Sequence, residues 1–386
     1  MRKSSESNRL RIRLILAGAI AISIRSTLDS SITSRRSLRV SSSIKDARYL
    51  HETDSTMPPW AHFNLKSVHQ KPERETETPI FWHIPKCGGT TAKRFYGDCL
   101  ELTLSNRLGA SPKYGHDKDT EIVAFAPFPN SSQKLVNVDT TTEEGILRAK
   151  ELGLVQSKKA DMIFTSDINF AAQNLFDRLN KGRVFAFFRH PIDRLVSKFY
   201  YLQTATWENT YRPEWKDLTL LEWAKDHNAD ENHMVKKILG KKLNDPVDIG
   251  DLIVAKEIVR HKFFVGKMDD MEESIKRFNI VLGIKNSAVK TRQCFNEYFG
   301  SEGEKDTTPP DDKKDSEPTA SEEDRRKATD KKNSHAHPKV EEGSPEWELL
   351  AERNSLDMIL YNYIQLLFSQ QKNIIEGYRD WNTAVA

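Results

Sequence analysis

The stretch Ile80–Thr91, IFWHIPKCGGTT, decides how the whole chain is read. Ile80–Ile84 (IFWHI) is a short apolar run of the buried-strand kind, and Pro85 follows it at once. Gly88 and Gly89 then let the backbone turn close to a ligand, and a helical stretch begins at Thr91. A strand that ends in such a turn before a helix can hold an anionic group through loop amides and the free N–H groups of the helix start. Lys86 adds a point charge, Cys87 lies within the turn, and the hydroxyls of Thr90 and Thr91 either bind oxygens or cap the helix. On these residues alone, a turn whose glycines serve only the chain reversal remains open. The stretch is not a Walker A loop: GxxxxGK[ST] sets the lysine after the glycines, and here Lys86 precedes both. Nucleoside-triphosphate hydrolysis is therefore disfavoured.

Three more apolar runs repeat the pattern. Met162–Thr165 (MIFT) precedes a helical segment near Ala171–Leu179, Val184–Phe188 (VFAFF) precedes another helix, and Phe263–Val265 (FFV) leads into Met271–Phe278. Buried runs alternating with amphipathic helices predict an α/β architecture, a parallel sheet covered on both faces. In such sheets ligands bind beyond the carboxyl ends of the strands.

VFAFF is followed by Arg189-His-Pro-Ile-Asp-Arg-Leu-Val-Ser-Lys-Phe-Tyr200, where Pro191 suits the first turn of a helix. Ile192, Leu195, Val196 and Phe199 form one apolar face and leave Asp193, Arg194, Ser197 and Lys198 on another. Arg189, at the strand end, can meet the Ser197 hydroxyl in a second oxyanion pocket. Taken singly, this reads rather as a helix with solvated charges; two such pockets on two strand–helix units of one sheet favour the ligand reading.

The chain has 386 residues and a net charge of +3, unevenly spread. Residues 1–48 hold eleven Lys/Arg against three Asp/Glu, and residues 301–345 hold nine against thirteen, so the remaining body is near neutral. This is not the basic face of a nucleic-acid-binding domain. Three cysteines, Cys87, Cys99 and Cys294, allow at most one bridge and match no zinc spacing. Residues 1–48 contain one apolar run, Leu14–Ile24, flanked by arginines. Its eleven residues span about 17 Å as a helix, short of the ~30 Å hydrocarbon core. The segment predicts secretory entry, cleaved or kept as a short type II membrane anchor; an Arg/Ser-rich transit peptide for a plastid or mitochondrion is the alternative. The sequon at Asn130 agrees with the first. Residues 301–345 contain no Ile, Leu, Met, Phe, Tyr or Trp and read as a disordered charged insertion. After it the stripe Leu349, Leu350, Leu356, Ile359, Leu360, Tyr363, Leu367 resumes the core. The expected order is a targeting segment (1–48), a stem or linker (49–77), a core (78–300), the insertion (301–345) and a helical completion of the core (346–386).

HIPKCGGTT and RHPIDRLVSKFYY resemble the two signature motifs of sulfotransferases that use 3′-phosphoadenosine-5′-phosphosulfate (PAPS), particularly the Golgi carbohydrate branch that includes heparan sulfate 2-O- and 6-O-sulfotransferases. The resemblance covers roughly residues 78–300 and 347–371, where KFFVGKMDDMEESIKRF and NSLDMILYNYIQLLFSQQ also look like segments of that group. It implies the sulfotransferase fold, a P-loop-NTPase-like parallel sheet flanked by helices, and transfer of a sulfuryl group to a carbohydrate hydroxyl in the Golgi lumen with no metal. It further implies that Lys86, Cys87, Gly88, Gly89, Thr90 and Thr91 cradle the 5′-phosphosulfate, and that Arg189 and Ser197 hold the 3′-phosphate.

Sulfuryl transfer is an in-line displacement in which the protein mainly positions reactants and stabilises charge. Lys86 and the loop amides are the natural stabilisers of the leaving oxygen. The acceptor hydroxyl needs a base. Related enzymes commonly place a His after the intermediate strand; this chain reads FTSDINF, and Asp167 falls at that place. Asp167 is thus one candidate base and a helix cap the other reading of it; His83 is the second candidate, though a His that ends a strand is more often packed or hydrogen-bonded. Cys87 as a nucleophile lacks a His–Asp partner. The aromatic-rich stretch Tyr200–Trp215 lines an acceptor cleft or simply packs. Two other functions stay open: a catalytically weak protein that binds the nucleotide or a sulfated glycan, for which the missing His speaks, and a nucleotide kinase or hydrolase.

Overall fold

A computed structural model describes residues 57–127, 132–206, 208, 211–225, 230–300 and 337–384. The targeting segment 1–48, the Asn130 sequon and the insertion up to residue 336 lie outside the described residues.

The body is an α/β fold built on a seven-stranded sheet of order β3-β4-β2-β5-β1-β6-β7. Its strands are β1 (Glu77–Trp82), β2 (Thr103–Ser105), β3 (Ala124–Phe125), β4 (Lys134–Val136), β5 (Met162–Thr165), β6 (Lys181–Phe188) and β7 (Phe263–Lys267). All neighbours are parallel except β3, which pairs antiparallel with β4 at one edge. The helices used below are α1 (Pro59–Asn64), α2 (Gly89–Arg94), α3 (Glu143–Glu151), α4 (Ile168–Leu175), α5 (Pro191–Leu202), α6 (His233–Leu239), α7 (Ile249–Lys262), α8 (Met271–Val281), α9 (Val289–Phe299), α10 (Pro345–Arg353) and α11 (Ser355–Ala384).

The continuous apolar runs become the central strands because helices cover both faces there. Ile80, Phe81 and Trp82 of β1 and Val184–Phe188 of β6 are all at most 1% exposed. Phe81 stacks on Phe164 of β5 and meets Phe187 of β6 edge-on, while Phe187 stacks on Phe278 of α8. These ring contacts fix the sheet–helix spacing at its centre. At the amino ends of β1 and β6, Arg183 grips Glu77 through two bonds of 2.5 and 2.7 Å with both side chains buried.

Several boundaries depart from the sequence reading. The helix expected near Ala171–Leu179 is α4, Ile168–Leu175; the Asp177 carboxylate accepts from the amides of Leu179 and Asn180, a turn that ends the helix and leaves Leu179 exposed. α2 begins at Gly89, two residues before Thr91, and passes into a π-helical turn at Phe95–Cys99. Residues 57–76, read as stem, carry α1 and lay Leu65 and Val68 into the core, where Leu65 bridges to Gly182. Within 337–345, read as insertion, the His337 ring stacks on Tyr200, and Ser344 caps α10 by accepting from the Trp347 amide. The C-terminal apolar stripe is split between α10 and α11 at Asn354. Cys99 and Cys294 form a disulfide that ties the π-helical turn to α9, whereas Cys87 is a buried free thiol.

Candidate functional site

β1 and β6 are adjacent and parallel, so the loops that leave their carboxyl ends, His83–Gly88 and Arg189–His190, rise side by side. β5 flanks β1 on the other side and delivers Thr165–Asp167 to the same edge, where the His83 amide bonds the Thr165 carbonyl at 2.8 Å. The connection after β1 runs toward β2, whereas β6 and β7 lie on the opposite side of β1, and at such a reversal a crevice opens for a ligand.

The first loop is shaped by two left-handed residues. Gly88 has φ +82°, and a Cβ there would come within 2.2 Å of the Met271 side chain. At Gly89 a Cβ would fall 2.1 Å from the His83 ring, so the helix can start against that imidazole only without a side chain. Lys86 adopts φ +66° without being glycine. That conformation costs on the order of 1–2 kcal/mol, and left-handed residues of this kind are what lets successive amides form an anion-binding concavity. The Cys87 amide bonds the Ile84 carbonyl at 3.2 Å and closes the turn. Among the described residues, the amides of Gly88, Gly89, Thr90 and Thr91 and the hydroxyls of Thr90 and Thr91 have no hydrogen-bond partner. These are the donors an anion would take.

The two motifs touch directly. Arg189 Nη1 donates to the Lys86 carbonyl at 3.2 Å. The Lys86 ammonium sits over the Tyr201 ring, 4.1 Å from its centroid, and the Tyr201 hydroxyl donates to Glu208 Oε1 at 2.6 Å. Burial, helped by the Arg189 charge and opposed by Glu208, pulls the Lys86 pKa down to about 8. Ser197 is buried on α5, and among the described residues it bonds neither Arg189 nor another group. Arg189 therefore supports the first loop here and does not close a fork-and-hydroxyl pocket with Ser197.

Each candidate base is already committed. Asp167 caps α4, with Oδ1 accepting from the Phe170 amide at 3.2 Å, and its Oδ2 pairs with Lys237 at 3.0 Å. His83 packs on Gly89, and burial together with the Lys93 charge lowers its pKa to about 4. Burial pushes the Cys87 thiol up to about 11 against the pull of Arg194 and Arg189, so at neutral pH it is protonated and no nucleophile.

Beneath the loops lies a polar cluster that sequence reasoning missed. Arg194, fully buried, bonds Asp230 Oδ2 at 3.1 Å, Lys198 bonds Oδ1 at 2.8 Å, and His233 Nδ1 stands 3.6 Å from Oδ2. Asp357 of α11 accepts from the amides of Met234 and Val235 at 2.9 Å each, and burial raises its pKa to about 6. Arg194, the Asp230–His233 pair and Asp357 come from three distant stretches of sequence, and no local pattern joins them. Tyr201 and Glu208 lay inside the aromatic-rich stretch but carried no individual signal. A cavity lined by Pro72, Arg74 and Gly283 opens at the amino end of the sheet, away from these loops.

Comparison with protein-family models, with curated proteins and with solved structures found no match to this chain.

Proposed function

We propose that the protein is a PAPS-dependent sulfotransferase of the P-loop-like sulfotransferase fold that moves a sulfuryl group to a carbohydrate hydroxyl. The carrying observation is the meeting of the two motif loops at the ends of adjacent parallel strands, with Arg189 bonded to Lys86. The free amides from Gly88 to Thr91 and the hydroxyls of Thr90 and Thr91 suit the 5′-phosphosulfate. Lys86 adds the charge needed where negative charge grows on the leaving oxygen. We assign the 3′-phosphate to Arg189, through its guanidinium donors other than Nη1, and to the Ser197 hydroxyl. The Cys99–Cys294 disulfide supports a secretory, Golgi-lumenal setting, because such bonds persist in oxidising compartments. Among the described residues no helix is long and apolar enough to cross a membrane, and the Leu14–Ile24 run proposed as an anchor lies outside them.

The engagement of Asp167 by its cap and by Lys237 favours a second reading, a protein of this fold that binds the nucleotide or a sulfated glycan with little turnover. Incubation with sulfur-labelled PAPS and a panel of polysaccharides separates the two. Transfer to one of them, lost in Lys86→Ala, supports the enzyme; equal transfer by Lys86→Ala contradicts the role of the loop.

A further inference from the structure

Resting on the sulfotransferase reading, we infer that Glu208 is the base that takes the proton from the acceptor hydroxyl. The two groups at the carboxyl ends of β1 and β5 that the sequence offers as bases, His83 and Asp167, are both occupied. Both Asp167 oxygens are bonded, one to the Phe170 amide and one to Lys237. The His83 ring is packed against Gly89 at the floor of the loop. Glu208 has one oxygen, Oε1, held by the Tyr201 hydroxyl at 2.6 Å, and among the described residues nothing bonds Oε2, which is left to accept a proton. Its backbone is fixed on both sides, since its amide bonds the Ala205 carbonyl at 3.0 Å and its carbonyl receives the Tyr211 amide at 2.9 Å. A base oriented by one partner, with its other oxygen free, is the arrangement general-base catalysis requires.

The position relative to Lys86 also fits. The ammonium stands over the face of Tyr201 and the carboxylate at its phenolic tip, so part of one ring separates them. An in-line transfer needs such a gap: about 3–3.5 Å between acceptor oxygen and sulfur and about 3 Å more to the base. The two groups sense each other, because the Glu208 charge works against the loss of the Lys86 proton. In the step itself the acceptor O–H proton passes to Glu208 Oε2 as the oxygen–sulfur bond forms. The sulfur–oxygen bond to the 5′-phosphate breaks, its electron pair stays on the phosphate oxygen beside Lys86, and the carboxyl proton then leaves to water.

The test compares full-length wild type, Glu208→Gln, Glu208→Ala and Asp167→Asn. Adenosine 3′,5′-bisphosphate binding is measured by calorimetry, turnover with labelled PAPS and the polysaccharide panel, and the Lys86 titration by NMR of the methylated lysine. Glu208→Gln keeps the Tyr201 bond, so it should bind the bisphosphate within a fewfold of wild type, lose about 100-fold or more in kcat, and lower the Lys86 titration point. Asp167→Asn should keep kcat within a fewfold. Formate should restore part of the turnover of Glu208→Ala, which a purely structural role would not allow. An unchanged kcat in Glu208→Gln, an unmoved Lys86 titration, or a wild type that binds the bisphosphate yet transfers to no acceptor overturns the assignment. Absence of bisphosphate binding in wild type instead contradicts the sulfotransferase reading from which the assignment starts.

Discussion

The Arg189 guanidinium donates to the backbone carbonyl of Lys86 at 3.2 Å, which joins the loop after β6 to the loop after β1. One side chain thus braces the strained residue that carries the site's central cation. Arg189→Lys keeps a charge but loses the planar fork, so it should weaken adenosine 3′,5′-bisphosphate binding about tenfold or more. Isothermal calorimetry checks this, and unchanged affinity would remove Arg189 from the site.

The low Lys86 pKa sets the direction of the pH dependence. Burial is its main cause, the Arg189 charge adds to it, and the ammonium is lost as pH rises through about 8. A polyanionic nucleotide binds the protonated form, so affinity should fall above that point by up to about tenfold per pH unit. Binding there should also take up a proton, visible as a heat that differs between buffers of different ionisation enthalpy. Affinity that is flat between pH 7 and 9 would count against Lys86 as the charged contact.

Gly89→Ala sets a methyl group against the His83 ring, where an ideal Cβ lies 2.1 Å from it. The ring and α2 cannot both stay, and overpacking of this kind costs about 1–3 kcal/mol. A lowered urea midpoint together with lost nucleotide binding is expected. A variant that binds and melts like wild type would show that the loop has room to spare.

Much of this was legible in the sequence, and what was not has physical reasons. β1, β6 and β7 stand out because strands buried on both faces must be apolar at consecutive positions. β2, β3 and β4 do not, since they have three residues or fewer and include Thr103, Ser105 and Lys134. The start of β2 is set by remote contacts such as the Asp161 carboxylate that accepts from the Thr103 amide, which no local pattern encodes. The loop Lys86–Thr91 was readable because its glycines and cation are contiguous. Asp167 was readable only as a choice between base and cap, and the bond from the Phe170 amide makes it a cap. Where Arg189 points, and that Tyr201 and Glu208 bracket Lys86, depends on the packing of α5 and the turn beyond it.

The Arg183–Glu77 pair clamps β1 to β6 below the site, and both side chains are at most 5% exposed. Glu77→Gln leaves the guanidinium charge buried without its counter-ion, at a cost of about 3–5 kcal/mol. Urea denaturation should show the loss. A change under about 1 kcal/mol would mean that the carbonyls of Gln70 and Lys71, which Arg183 also reaches, suffice alone.

The central claim is that Lys86, the loop amides and Arg189 form one pocket for a 3′-phosphorylated adenine nucleotide. Calorimetric titration of the protein with adenosine 3′,5′-bisphosphate and with ADP, in the same buffer at pH 7, tests it most directly. The bisphosphate should bind at least about tenfold more tightly, and Lys86→Ala should lose most of that affinity. Equal binding of the two nucleotides, tighter binding of ADP, or bisphosphate binding that survives Lys86→Ala unchanged would contradict it.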